Sequence, residues 1–391
     1  MKHARIAFVL LASLAAPACG GSKVQPGAKT AETGLPPANP LAVQRMVEGV
    51  AAAKDPKMQT RAIALFREAI QIDPKLWEAR FDLGIVLASA GDLAHAEEQL
   101  EAAAKIAPER EEVAVALAEV RRRRGSNKDA ARTLEDFVKD HPSALDARTL
   151  LVAALRDSSQ HDKAIAQARE VLVRKPGDAT ALAELALCHL GKGERDTAQL
   201  LVKQSLDVNA KSAVAHRVQG LVHLAGGDDA AAFQAFSKAA QEDPHDTTSR
   251  LNMGAVLLRA GVYAKAAEQY KGALAAAPDE AAAQIGLAAA LRGEAGGKDP
   301  KLVEEARSLL DKVLERDPHN VAALFNMGIL QAESLKRPAE AKQYFERFLD
   351  DAPREHPSRP EAERQLAAAK HAVPAPPPPP AAAPAKPGSK S

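Results

Sequence analysis

The chain has 391 residues, with 52 basic and 51 acidic side chains and a formal net charge of +1. That balance gives no general attraction for nucleic acid and excludes bulk nucleic-acid binding as the main activity. Aromatic residues make up only 3% and there are two cysteines, Cys19 and Cys188, a composition of helices packed through small side chains and not of a sandwich, a barrel or a disulfide-stapled fold.

In chain order, Lys2, His3 and Arg5 form a basic start, Ile6 to Ala16 an apolar run, and Ala16-Pro17-Ala18 a small-residue cleavage site. That order predicts a signal peptide over residues 1–18. The run falls well short of the ~20 residues a membrane-spanning helix needs. Two processing routes cut the same bond. One is ordinary signal cleavage after Ala18. The other resembles bacterial lipoproteins, in which the thiolate of the new first residue, here Cys19, takes a diacylglyceryl group. We expect the second, an exported protein anchored by lipid at Cys19. Gly20 and Gly21 follow, with no Asp. By resemblance to enterobacterial lipoproteins this implies the outer membrane, with the protein facing the periplasm. Residues 19–40 read as a flexible tether, about twenty residues reaching roughly 25 Å.

The middle of the chain repeats. Pro74, Pro108, Pro142, Pro176, Pro244 and Pro278 are separated by 34 residues, except for one step of 68 in whose middle Ala210 stands. Twelve residues before each mark is an alanine: Ala62, Ala96, Ala130, Ala164, Ala198, Ala232 and Ala266. The series continues as Ala306–Pro318 after a six-residue insertion and as Ala341–Pro353 after one further residue. A fixed period of this length is the signature of a repeat architecture. In the unit Trp77–Pro108, apolar residues recur at helical spacing, Gly91-Asp92 interrupts them, and a second helix carries Leu93, Ala96, Leu100 and Ala103 on one face. Gly supplies a left-handed stop and Asp caps the next helix. Each unit is expected to be a helix hairpin, with alanine where the two helices cross closely.

Leu83-Gly84, Ala96 and Pro108 resemble the tetratricopeptide-repeat signature, as do Met253-Gly254, Ala266, Tyr270 and Pro278, and again Met327-Gly328, Ala341, Phe345 and Pro353. The resemblance covers residues 41–353 and implies an all-α superhelical solenoid of about nine helix-turn-helix repeats. The chain departs from the pattern in places. The aromatic residue three positions before Leu-Gly is replaced by Arg80, Ala114, Arg148, His216 and Arg250, and the large residue four after the alanine by Ala168 and Val202. The first unit lacks Leu-Gly, and its leading helix is expected near residues 40–54. A capping helix is expected within 354–372, and the Pro/Ala-rich stretch 373–391 as a disordered tail.

No catalytic constellation stands out: the sequence has no HExxH, GxSxG, phosphate loop or CxxC. We expect no enzyme, cofactor, bound metal, nucleic acid or small-molecule substrate. His189 and His223, one repeat apart with Cys188 adjacent, are read as half-buried packing residues and not as a metal pair. The run Arg121–Arg124 ends a leading helix, where cations suit the negative helix terminus.

In the resembling proteins the leading helix lines the concave wall. That stripe here holds Phe81, Ile85, Val115, Leu187, Leu190, Leu221, Leu224, Leu251, Leu258, Ile285, Phe325 and Ile329, with Arg122, Arg156, Arg217, Arg259 and Arg292 interspersed. An apolar trough studded with Arg suits an amphipathic or extended partner segment bearing acidic residues. The expectation is a non-catalytic, lipid-anchored scaffold that binds envelope proteins through this groove. In style it is similar to tetratricopeptide lipoproteins of myxobacterial gliding-motility complexes; the alternative is an assembly factor resembling pilus-secretin pilotins.

Overall fold

The computed structural model describes residues 38–372; the expected signal peptide, Cys19, the tether as far as residue 37 and the tail 373–391 lie outside the described residues. Among the described residues there are nineteen α-helices and no strand. They form nine consecutive hairpins and one closing helix. The first three hairpins pair α1 (Pro40–Ala53) with α2 (Gln59–Ile72), α3 (Trp77–Ser89) with α4 (Leu93–Ile106), and α5 (Glu111–Arg123) with α6 (Asn127–Asp140). The next three pair α7 (Leu145–Asp157) with α8 (His161–Arg174), α9 (Ala179–Gly191) with α10 (Arg195–Val208), and α11 (Ala213–Ala225) with α12 (Asp229–Glu242). The last three pair α13 (Thr247–Arg259) with α14 (Tyr263–Ala276), α15 (Ala281–Ala295) with α16 (Pro300–Arg316), and α17 (Val321–Ile329) with α18 (Pro338–Asp351), before α19 (Arg359–Ala372). The chain divides into two compact units at Glu242 and Asp243, so six hairpins belong to the first unit and three hairpins with α19 to the second.

The alanine register explains the hairpins. All nine register alanines, from Ala62 to Ala341, are 0% exposed. Each sits where a trailing helix meets its leading partner, and a larger side chain there would force the backbones apart. The opposing surface is glycine in several repeats. A Cβ added at Gly220 would lie 2.5 Å from the Phe236 ring, and one at Gly254 would lie 2.7 Å from Tyr270. Between the two helices the backbone turns through a left-handed residue. Gly91, Gly125, Gly193, Gly227 and Gly261 hold that place with φ between 72° and 85°, and Ser159 takes it in the fourth hairpin with φ 61°. Gly reaches this conformation at no steric cost, whereas Ser is strained there.

The missing aromatic residues of the leading helices have a polar replacement with a task. Arg80 Nε donates to the Pro74 carbonyl at 3.2 Å, Arg148 Nη2 to the Pro142 carbonyl at 3.2 Å, and Gln284 Nε2 to the Pro278 carbonyl at 3.0 Å. His216 Nε2 lies 2.9 Å from the Ala210 carbonyl. The same side chains reach the trailing helix of their own hairpin: Arg80 bonds Gln99, and Arg148 bonds Gln167. A long polar side chain thus satisfies a turn carbonyl that a Trp or Tyr ring would only cover. Four repeats close their turn in this way, whereas Ala114 at the same place has no polar group to offer.

The two irregular spacings are absorbed locally. Before α16 the chain passes through Gly296 and Gly297, both left-handed, and restarts with Asp299 capping Lys301 and Leu302. The extra residue of the ninth hairpin appears as a single π-turn, Leu330–Ser334, that extends α17.

Candidate interaction surface

Leading helices pack on one another in series. In the first unit α3 lies between α1 and α5, and α7 between α5 and α9, with α11 following α9; in the second unit α15 lies between α13 and α17. The stripe expected to face a partner therefore runs along this layer in each unit.

In the first unit Ile85, Val115, Leu187, Leu190, Leu221 and Leu224 are half-buried, which leaves part of each side chain open. Phe81 is a correction. It is 1% exposed, and its ring packs edge-on to Trp77 with centroids 6.4 Å apart, so it belongs to the core and offers nothing to a partner. The expected arginines also differ in role. Arg122 bonds Glu119 at 2.9 Å and Asp157 at 2.6 Å. Arg156 bonds the other oxygen of Asp157 at 2.8 Å and Glu184 at 2.6 Å. The series Glu119–Arg122–Asp157–Arg156–Glu184 links α5, α7 and α9. Burial alone would raise the Asp157 carboxyl, but Arg156, and then Arg122, outweigh it and hold the group below the usual carboxylate range. These two arginines close on the chain's own carboxylates and do not wait for a partner's. Arg217, on α11, is half-buried.

Sequence reasoning missed the acidic half of this ladder. The available signal was the offset: Asp157 follows Arg122 by one repeat and one residue, so opposite charges meet on neighbouring leading helices. Further toward the N-terminus the same layer turns acidic. Burial, and then Glu78, push the Asp82 carboxyl up to about 7, and burial also raises Glu78.

The second unit is more aliphatic. Leu251 and Leu258 on α13 and Ile285 on α15 are half-buried against its core, and Arg259 ends α13 exposed. Phe325 is half-buried, its ring 5.4 Å from Phe348 and 6.3 Å from Phe345. Ile329 is 6% exposed and is part of the core, a second correction. Arg292 bonds Glu333 at 2.9 Å, across from α15 to the π-turn, and it too is internally paired.

The remaining sequence features resolve structurally. His189 Nδ1 lies 2.6 Å from Glu194 Oε2, and among the described residues no cluster of three metal-ligating side chains occurs. Cys188 is fully buried, and burial pushes its thiol up to about 12, which leaves it unreactive at neutral pH. In the run 121–124, Arg121 bonds Glu97, Glu101 and Thr133, and Arg124 bonds Glu97, so much of that positive charge is neutralised internally. No helix among the described residues is long and apolar enough to cross a membrane.

Comparison with known proteins agrees with this architecture. One tetratricopeptide-repeat family model matches residues 60–120, and another matches 115–179, 151–198, 183–247 and 303–360, together more than half of the chain. The chain belongs to the tetratricopeptide-repeat family. Its repeats are of a kind that binds proteins and is typically non-catalytic. A human relative, protein O-mannosyl-transferase TMTC1, is 26% identical over 214 residues, 55% of this chain and 21% of its own length. The chain thus spans about a fifth of that relative. Among solved structures, Pseudomonas aeruginosa pilF is 19% identical with a TM-score of 0.47, covering 56% of this chain and 97% of its own. A tetratricopeptide-repeat protein of Parabacteroides merdae is 15% identical with a TM-score of 0.40, covering 75% and 98%.

Proposed function

We propose that the protein is a non-catalytic scaffold, held at the outer membrane on the periplasmic side by lipid on Cys19, that gathers protein partners of an envelope complex such as a motility machine. The observation that carries the scaffold reading is the half-open aliphatic series Leu187, Leu190, Leu221 and Leu224 on the leading helices of a protein-binding repeat family. The anchor rests on the order of residues 2–19: basic start, short apolar run, cysteine. Because Arg122, Arg156 and Arg292 are bonded to internal carboxylates, the partner segment is recognised first by apolar side chains.

Two measurements test the two halves separately. Cys19→Ala releases the protein from membranes into the soluble periplasmic fraction, and the mature wild-type protein carries the mass of a lipidated N-terminal cysteine. An unmodified cysteine at that terminus refutes the anchor. Leu221→Asp together with Leu224→Asp abolishes recovery of proteins crosslinked in cells and identified by mass spectrometry, with helicity retained by circular dichroism. Undiminished recovery with unchanged helicity moves partner binding off this face.

A further inference from the structure

At the junction of α10 and α11 the first unit contains a cleft of about 610 Å³, lined by the buried or half-buried Val202, Leu206 and Val222 and by the exposed Asp196, Leu200, Lys203 and Asp207. Gln199, Gln219 and His223 complete the lining. The volume falls in the range of about 300–1,000 Å³ common for ligand sites.

Comparison within the chain sets two residues of the cleft apart. Four residues after the register alanine, other trailing helices carry Phe66, Leu100, Leu134, Phe236, Tyr270, Leu310 and Phe345, each no more than 4% exposed. In α10 that place is Val202, and in α8 it is Ala168. The facing leading-helix position, Leu83, Leu117, Leu151, Leu185, Met253, Leu287 or Met327 in other repeats, is Gln219 in α11. Val202 is shorter than its counterparts but is itself only 3% exposed, so it forms covered floor, and the wall at residue 219 is polar where other repeats are apolar. Beside the gap Leu200 is 57% exposed. Apolar surface left in water carries a free-energy cost of roughly 25 cal/mol per Å², and a ligand that covers Leu200 and enters the gap recovers it.

The rim states what that ligand looks like. Asp196, Leu200, Lys203 and Asp207 lie at i, i+4, i+7 and i+11 on α10, one stripe of a helix. The two carboxylates stand about 16 Å apart along the axis at ~1.5 Å per residue. Asp196 is 94% exposed in its side chain, with Arg195 at 3.7 Å. A second helix laid along this stripe meets acid, aliphatic, base, acid, and the complementary order is cation, large apolar, acid, cation.

We infer that the α10–α11 cleft is a docking site for a helical segment of a partner protein, which inserts one large apolar side chain, Phe or Leu, flanked by cationic residues. The site shares α11 with the leading-helix surface of the scaffold reading but uses Gln219, Val222 and His223 in place of Leu221 and Leu224, and its test alters none of the latter.

The test uses the full-length protein and a fluorescently labelled helical peptide of about 20 residues, with Lys, Phe, Glu and Lys spaced four, three and four apart. Fluorescence anisotropy is expected to show saturable binding that weakens at least about tenfold when the peptide's Phe becomes Ala, or when Val202→Phe fills the cleft from within. Equal binding of the Phe and Ala peptides overturns the site, as does Val202→Phe protein that folds normally and binds like the parent. A control independent of core packing reverses the exposed rim: Asp196→Lys with Asp207→Lys is expected to prefer a peptide with Glu in place of both Lys. Unchanged preference refutes the charge pattern and with it the assigned ligand.

Discussion

The leading-helix layers of the two units share a repeat register but present different chemistry. In the first unit a ladder of five alternating charges, Glu119 to Glu184, joins three helices, and a partly desolvated Asp82 stands near its N-terminal end. In the second unit the same layer is aliphatic and aromatic, Leu251, Leu258, Ile285 and Phe325, with Arg292–Glu333 crossing it. The scaffold of hairpins comes from buried alanine and glycine. The surface comes from a few leading-helix positions that are free of that constraint, which is why one fold carries two walls.

The contrast breaks most readily at its misread member. Phe81→Ala is expected to cost ~3–5 kcal/mol, since it empties a fully buried site, whereas Leu258→Ala on the half-open stripe of the second unit costs ~1–2 kcal/mol. Urea unfolding followed by circular dichroism measures both, and equal losses would place Phe81 on the surface after all.

The ladder comes next. Arg156→Met leaves Asp157 and Glu184 short of a cation and is expected to destabilise the first unit by ~1–3 kcal/mol at pH 7. Asp157 is held below the unfolded carboxylate value, so the stability it contributes is present above about pH 4 and is lost as pH falls further. The difference between variant and parent therefore shrinks in acid. A loss that stays constant from pH 7 to pH 3 would assign the effect to packing.

Asp82 has the opposite sign. Its folded value, about 7, lies above the unfolded one, so the folded state holds the extra proton and stability falls as pH rises from about 4 to 7. Asp82→Asn is expected to raise the melting temperature at pH 8.5, by ~1–2 kcal/mol of stability, and to change it little at pH 4. The same gain at both pH values would show that the carboxyl is not desolvated.

The smallest effect belongs to the second unit's pair. Arg292 and Glu333 are partly exposed, and Arg292→Gln is expected to cost ~0.2–1 kcal/mol at low salt. About 1 M salt, which shortens screening to roughly 3 Å, removes the difference. A larger, salt-insensitive loss would make this pair as structural as the ladder.

How much of this was legible depended on how local the determinants are. The nine register alanines, the left-handed turn glycines and the insertion before α16 were readable because each acts within a single hairpin, over a fixed spacing. The first unit's inner stripe was readable in position but not in role. Phe81 and Val115 occupy equivalent places in successive repeats, yet one is buried and the other half-open; Phe81 packs against Trp77, whose place one repeat on is held by Glu111. Arg122 and Arg156 read as partner contacts because, besides Glu119 and Asp157 on their own helices, each takes a carboxylate 35 or 28 residues away that spacing along one helix does not reveal.

The sequence by itself determined the all-α hairpin array, its period and its turns: a 34-residue recurrence of small residues and helix stops leaves one way to bury an apolar face, against the next hairpin. It also marked Ala168 and Val202 as undersized, without saying what their neighbours do about it. Only the tertiary structure decided that a cleft forms between α10 and α11 beside the exposed Leu200, that polar side chains at residues 80, 148, 216 and 284 close the turns, and that Arg122, Arg156 and Arg292 are paired. Each of those outcomes depends on the distance and bulk of side chains brought together from different helices, and a packed interior resolves that competition in three dimensions.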